Sequence, residues 1–160
     1  MTYQTWLYGA LVFHIIGLAM LAGSTLLDFI ITTRFWKMYA TNKNDALVVR
    51  EVSGVFPIVT RLGGALMVLS GIAMMAVTHG VYGTQLWMRI KIGLVVLVLL
   101  NVFFVGRRNG KRLFQLLNEE REGLSRTHEL EKVKGNTRLF HLSQLLLFII
   151  IFVLSVFKFN

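Results

Sequence analysis

Apolar residues gather in four runs, at about 5–32, 54–78, 85–105 and 139–157. Each is long enough to cross a bilayer as a helix, which takes roughly 20 apolar residues. None alternates apolar and polar positions as a barrel strand must. The pattern predicts an all-α fold, an integral membrane four-helix bundle forming a single domain over residues 1–160. The segments 33–53 and 106–138 are polar enough to be loops outside the bilayer. Within them, 40–49 and 111–122 have helical apolar spacing, and Asn44, Asp45 and Ser125 are residue types that cap helix N-termini.

Inside the runs the polar positions are few and periodic. The first run carries Ala10, His14, Gly17, Leu21, Ser24 and Asp28 at steps of four and three, which places them on one helical face. That face is expected to point into the bundle, because hydrocarbon offers an imidazole or a carboxylate no partner. Gly17 and Ser24 read as packing positions that let a neighbouring helix come close. The second run has a similar stripe of Arg61, Gly64, Val68, Gly71, Met75 and Thr78. Asp28 and Arg61 fall near the same membrane face, so a structural Asp28–Arg61 ion pair is the economical expectation. In the third run Arg89 and Lys91 are two residues apart and point about 200° apart around a helix. One is expected to face the bundle and the other to reach outward, with Asn101 on nearly the same side as Lys91. The fourth run shows His141, Gln144, Phe148, Phe152 and Ser155 along one face. His79, in a glycine-containing turn, and His128, among charged residues, are placed for contact with water.

Composition then narrows the class. The chain is 55% hydrophobic, with a mean hydropathy of +0.64, whereas soluble domains are about 45–50% apolar. The net charge is +9, but its placement argues against nucleic acid. Arg34, Lys37, Lys43 and Arg50 lie between the first two runs, and a longer basic series from Arg107 to Arg138 lies between the last two. The turn between the middle runs carries no charge. The positive-inside rule then puts both basic segments in the cytoplasm and both termini outside. Membrane lipid, above all anionic lipid, is the partner this charge predicts. Met1-Thr2-Tyr3-Gln4 has no basic stretch, so the first span reads as retained. With no cysteine, disulfides and thiolate chemistry are excluded, and any metal falls to His, Met, carboxylate or amide groups.

Depth sorts the polar groups into two layers. At about 1.5 Å per residue, His14 lies roughly 13 Å below the outer end of its helix, and Arg89 and Lys91 roughly 6–9 Å below theirs. Asp28, Arg61, Asn101 and His141 fall in the inner half. A histidine with cations and no acid suggests an anionic ligand; a porphyrin fits, with imidazole on iron and Arg or Lys on the propionates. His14 and His141 differ in depth by roughly 10 Å, too far to share one iron. A second ligand to iron at His14 would then be Met75, His79, water or nothing.

Leu11-Val-Phe-His14-Ile-Ile-Gly17-Leu-Ala-Met-Leu-Ala-Gly23 resembles the first helix of the J-type bacterial protoporphyrinogen oxidases and the related copper-resistance D membrane proteins. Trp87-Met-Arg-Ile-Lys91-Ile-Gly-Leu-Val-Val-Leu-Val-Leu-Leu is similar to another helix of that family, whose lysine falls on Lys91. The resemblance spans two helices of four. It implies a compact four-helix core in a bacterial cytoplasmic membrane, haem b, a haem ligand at His14 and a functional Lys91. Arg89 stands where the family has a histidine, and Asn101 and Val102 stand where it has another.

Three functions follow from these residues. The first is a membrane-embedded b-type haem protein with a redox role, His14 as axial ligand, Lys91 and Arg89 as candidate catalytic and propionate-binding groups, and a quinone or redox protein as partner. The second is a small proton or ion transporter subunit using Asp28, Arg61 and Lys91, acting as a homo-oligomer. The third is a non-catalytic assembly protein whose buried polar groups join helices.

Overall fold

The computed structural model describes residues 2–122, 124 and 126–157. Its elements are α1 (Tyr3–Tyr39), α2 (Lys43–Val52), a 3-10 turn (Ser53–Val55), α3 (Phe56–Val77), α4 (Leu86–Leu100), a π-helical turn (Asn101–Gly106), α5 (Arg107–Arg121) and α6 (Thr127–Val156). Because the 3-10 and π turns continue the chain helically, these pieces make four rods: Tyr3–Tyr39, Lys43–Val77, Leu86–Glu120 and Thr127–Val156. All four are long and apolar enough to cross a membrane.

The rods outrun the bilayer. α1 has 37 residues, about 55 Å of helix against a hydrocarbon core of about 30 Å. The segments 33–53 and 106–138, expected as loops, are therefore mostly helix, and the reason is a second apolar core. Phe35, Ala46, Leu113, Leu116, Leu117, Leu130 and Val133 are buried together at the basic end of the bundle. Ion pairs tie its surface: Lys43 to Glu120 at 2.6 Å, Arg126 to Glu119 at 2.9 Å, and Arg112 to Glu129. The N-cap of α2 is Asn42, ahead of the expected Asn44 or Asp45; its side chain accepts from their backbone N–H groups at 3.1 and 3.4 Å. Ser125, expected to cap the last helix, lies outside the described residues.

The first core, within the membrane-crossing part, takes one layer from each rod: Leu21, Met67, Val98, and Phe148 with Ile151. Its tightest seam is between α1 and α3, which run antiparallel. A Cβ on Gly17 would lie 2.6 Å from the Met67 nitrogen, and one on Gly63 would lie 2.8 Å from the Leu21 nitrogen. The two backbones touch there, and no side chain fits between them. Above and below this crossing the seam is polar. Ser24 Oγ meets Thr60 Oγ1 at 2.8 Å, and His14 meets the Met67 carbonyl and Ser70. The α3 face that meets α1 is thus Thr60, Gly63, Met67 and Ser70, about one residue around the helix from the stripe expected through Arg61, Gly64 and Val68. On the other side, Asn101 Nδ2 donates to Gln144 Oε1 at 2.9 Å and to Ser143 Oγ at 3.2 Å, joining the π turn to α6.

Alanine at Gly17 or Gly63 should destabilise the bundle by about 1–3 kcal/mol or more, the usual cost of overpacking. Gly23→Ala, where a Cβ meets nothing within 4 Å, should be neutral or stabilising, since alanine favours helix over glycine. Unfolding of the detergent-solubilised variants measures both; equal loss at Gly17 and Gly23 would contradict the seam.

Candidate functional site

At the junction of the two cores the helices leave a cavity of about 900 Å³. All four rods line it: Thr25, Asp28 and Thr32 of α1; Arg50, Glu51, Pro57, Thr60 and Arg61 of the second rod; Phe103, Arg107, Asn109 and Lys111 of the third; Thr137, Phe140 and His141 of α6. α1 brings Asp28 here because the Gly17–Gly63 crossing fixes its rotation, so that Ser24 faces Thr60 and Asp28, one turn further, faces α6. His141 is 1% exposed. Its Nε2 lies 3.0 Å from Asp28 Oδ2, and the rings of Phe29 and Phe140 flank it at 5.8 and 5.2 Å between centroids. A buried imidazole is thus held by a carboxylate between aromatic rings.

The sequence predicts an Asp28–Arg61 pair; the structure pairs Asp28 with His141 instead. Arg61 Nε donates to the Pro57 carbonyl of its own helix at 3.0 Å, because Thr60, and not Arg61, faces α1. Asp28 and Arg61 nevertheless share the cavity. Its charged wall holds four cations, Arg50, Arg61, Arg107 and Lys111, against the carboxylates of Asp28 and Glu51. Three buried polar atoms of lining residues, Asn109 Nδ2, Thr137 Oγ1 and His141 Nδ1, have no hydrogen-bond partner among the described residues. Arg107, Asn109 and Thr137 were invisible as site residues in the sequence, where they sit in a segment that reads as charged surface. Asn101 bonds Ser143 and Gln144, within a turn of His141.

The outer polar layer is smaller. His14 Nδ1 lies 2.9 Å from the Met67 carbonyl and 3.1 Å from Ser70 Oγ. A carbonyl only accepts, so this contact places a proton on Nδ1. Ser70 can then accept from the ring while donating to the Leu66 carbonyl at 2.6 Å. Lys91 lies near enough for its charge to act on the ring, and it is partly buried where Arg89 is exposed. Arg89 is thus the outward member of the pair. Met75 and His79 are not brought to His14. The Met75 methyl packs toward Gly83 in the outer turn, and His79 is exposed in that turn with φ 50°. Among the described residues no group of three or more His, Cys, Asp or Glu side chains is placed to hold a metal ion.

Four apolar rods with polar groups turned inward define a multi-pass integral membrane protein of the helical-bundle class. The chain belongs to the DUF2269 family, described as a predicted integral membrane protein, whose family model matches residues 5–159. That match supports the membrane placement and does not extend to the J-type oxidases or the copper-resistance D proteins. No curated protein and no solved structure matches the chain.

The Asp28–His141 contact should appear as a coupling of about 0.5–3 kcal/mol in a double-mutant cycle of Asp28→Ala and His141→Ala. Arg61→Ala should cost no more than about 0.5 kcal/mol, as for other substitutions at exposed sites. A coupling of Asp28 to Arg61 as strong as that to His141 would contradict the placement.

Proposed function

We propose that this protein is a non-catalytic membrane binding protein that takes up a small anionic, partly apolar molecule at its basic end, with the Asp28–His141 pair on the wall of the site. The observation that supports this is the Asp28–His141 pair on the wall of a cavity that also holds four cations. Cations gathered around one cavity attract counter-charge. Asp28 and Glu51 supply part of it, and an incoming carboxylate or phosphate would supply the rest. Removing the Asp28 charge would make the cavity more positive and should tighten anion binding. Leu47, Phe103, Phe114, Leu117 and Phe140 in the same wall suit a short hydrocarbon portion.

Leu21, Met67, Val98, Phe148 and Ile151 form an apolar plug between this cavity and the His14–Lys91 layer. A through-path for ions would have to cross it, which favours one-sided binding over the transporter reading. The cytoplasm is the side expected for the basic end.

Titrating dodecanoate into the purified protein at neutral pH should show saturable binding. Asp28→Asn should bind it more tightly and Arg50→Gln more weakly. No binding, or weaker binding in Asp28→Asn, would overturn the proposal.

A haem reading is favoured by one separate observation, the Nδ1 contact of His14 with the Met67 carbonyl. Metal-ligating histidines commonly donate their other ring N–H to a carbonyl. Gly71 lies beside the ring, where a Cβ would stand 3.4 Å from Cε1. The donors fit a single axial histidine: His14 would hold the iron through Nε2 and Lys91 would meet a propionate. The group would supply one-electron chemistry. Protein purified from haem-replete cells should then show a Soret band that disappears in His14→Ala; colourless protein would remove this reading.

A further inference from the structure

A groove of about 630 Å³ lined by the third rod alone lies beside the proposed anion cavity and shares Phe103, Arg107 and Lys111 with it. Its other walls are Val96, Leu99, Leu100, Phe104 and Arg108. These residues fall into two ridges of constant spacing: 96, 100, 104 and 108, and 99, 103, 107 and 111. In a regular α-helix a ridge of i+4 steps turns by about 40° per step, because each residue turns about 100°. Three steps would carry Arg108 and Lys111 about 120° away from Val96 and Leu99. The π turn at Asn101–Gly106 lies in the middle of both ridges, and its wider i→i+5 winding takes up that drift. The apolar and basic ends of the stripe thus stay on one side of the rod.

The two ends differ in chemistry. Val96, Leu100, Phe103 and Phe104 are exposed apolar residues in the membrane-crossing part. Arg107, Arg108 and Lys111 are exposed at the boundary where the rod leaves the apolar run. Among the described residues none of these three cations takes part in an ion pair. An apolar channel closed at the polar boundary by three cations matches part of an acyl chain and the net negative headgroup of a phospholipid. We propose that this groove is a specific docking site for one such anionic phospholipid, held in register by the π turn. Its acyl chain lies along the 96–104 stretch and its phosphate sits among Arg107, Arg108 and Lys111. Free phosphate would leave the apolar two-thirds unused, and a zwitterionic lipid would leave the cations unmatched.

The test is lipid retention by the full-length protein, taken from mixed phosphatidylglycerol and phosphatidylcholine micelles and weighed intact by native mass spectrometry. The expected result is preferential retention of one phosphatidylglycerol. Arg108→Gln, which touches the groove alone, should lower that preference about fivefold, the usual effect of one basic residue on anionic lipid. Arg34→Gln, an exposed cation in the other basic segment, should leave it unchanged. Phe104→Asn should weaken retention of phosphatidylglycerol while leaving the soluble anion titration intact. Equal retention of both lipids would overturn the proposal. So would equal effects of Arg108→Gln and Arg34→Gln, which would mean bulk charge, or full displacement by millimolar inorganic phosphate, which would mean a headgroup site without a lipid.

Discussion

The contact between the backbones of Gly17 and Gly63 governs the rest of the molecule. In lipid, helices gain little from hiding apolar side chains, because the solvent is equally apolar. Close approach and internal hydrogen bonds must do the work. Glycine at both positions brings α1 and α3 into backbone contact, and that contact fixes the rotation of α1 about its axis. Once the rotation is set, His14 faces Met67 and Ser70, Ser24 faces Thr60, and Asp28 is turned past α3 toward His141. One steric constraint thus aims His14, Ser24 and Asp28 together.

The two apolar cores divide the labour. The inner-membrane core of Leu21, Met67, Val98, Phe148 and Ile151 closes the bundle between its polar layers. The second core, around Phe35, Leu113, Leu116 and Leu130, gathers the helix extensions at the basic end. The cavity lies where the two meet, and there the helices hold Asp28, His141 and four cations around one space. The proposed chemistry follows from that position, at the end where basic residues concentrate.

Much of this was legible in the chain. The four runs and the α1 stripe of His14, Gly17, Leu21, Ser24 and Asp28 are readable because lipid admits few polar residues, so each one marks an inward face. That Lys91 and Arg89 face different ways follows from a two-residue offset on a helix; the packing selects Lys91 as the inward one. The α3 face was less legible. Gly63 and Gly64 are adjacent, and only contact with α1 selects Gly63; choosing the Gly64 stripe carried Arg61 toward Asp28 by mistake. On α6 the expected stripe holds through His141, Gln144 and Phe148, but beyond them Ile151 and Leu154 are buried and Phe152 is exposed. Asn109, Arg107 and Thr137 could not be found from periodicity, because their segment balances charge and apolar residues and reads as either loop or surface helix. Its burial depends on partners from α1 and α2 far away in the chain.

The central claim is that Asp28 and His141 stand in a solvent-reachable cavity that favours anions. The natural absence of cysteine gives a clean background for single-cysteine labelling. Thr137→Cys, on the cavity wall, should react with a negatively charged methanethiosulfonate at least about tenfold faster than with a positively charged one, the lower end of what a focusing cleft achieves. A faster reaction with the cationic reagent, or no reaction while Arg34→Cys labels readily, would contradict the account.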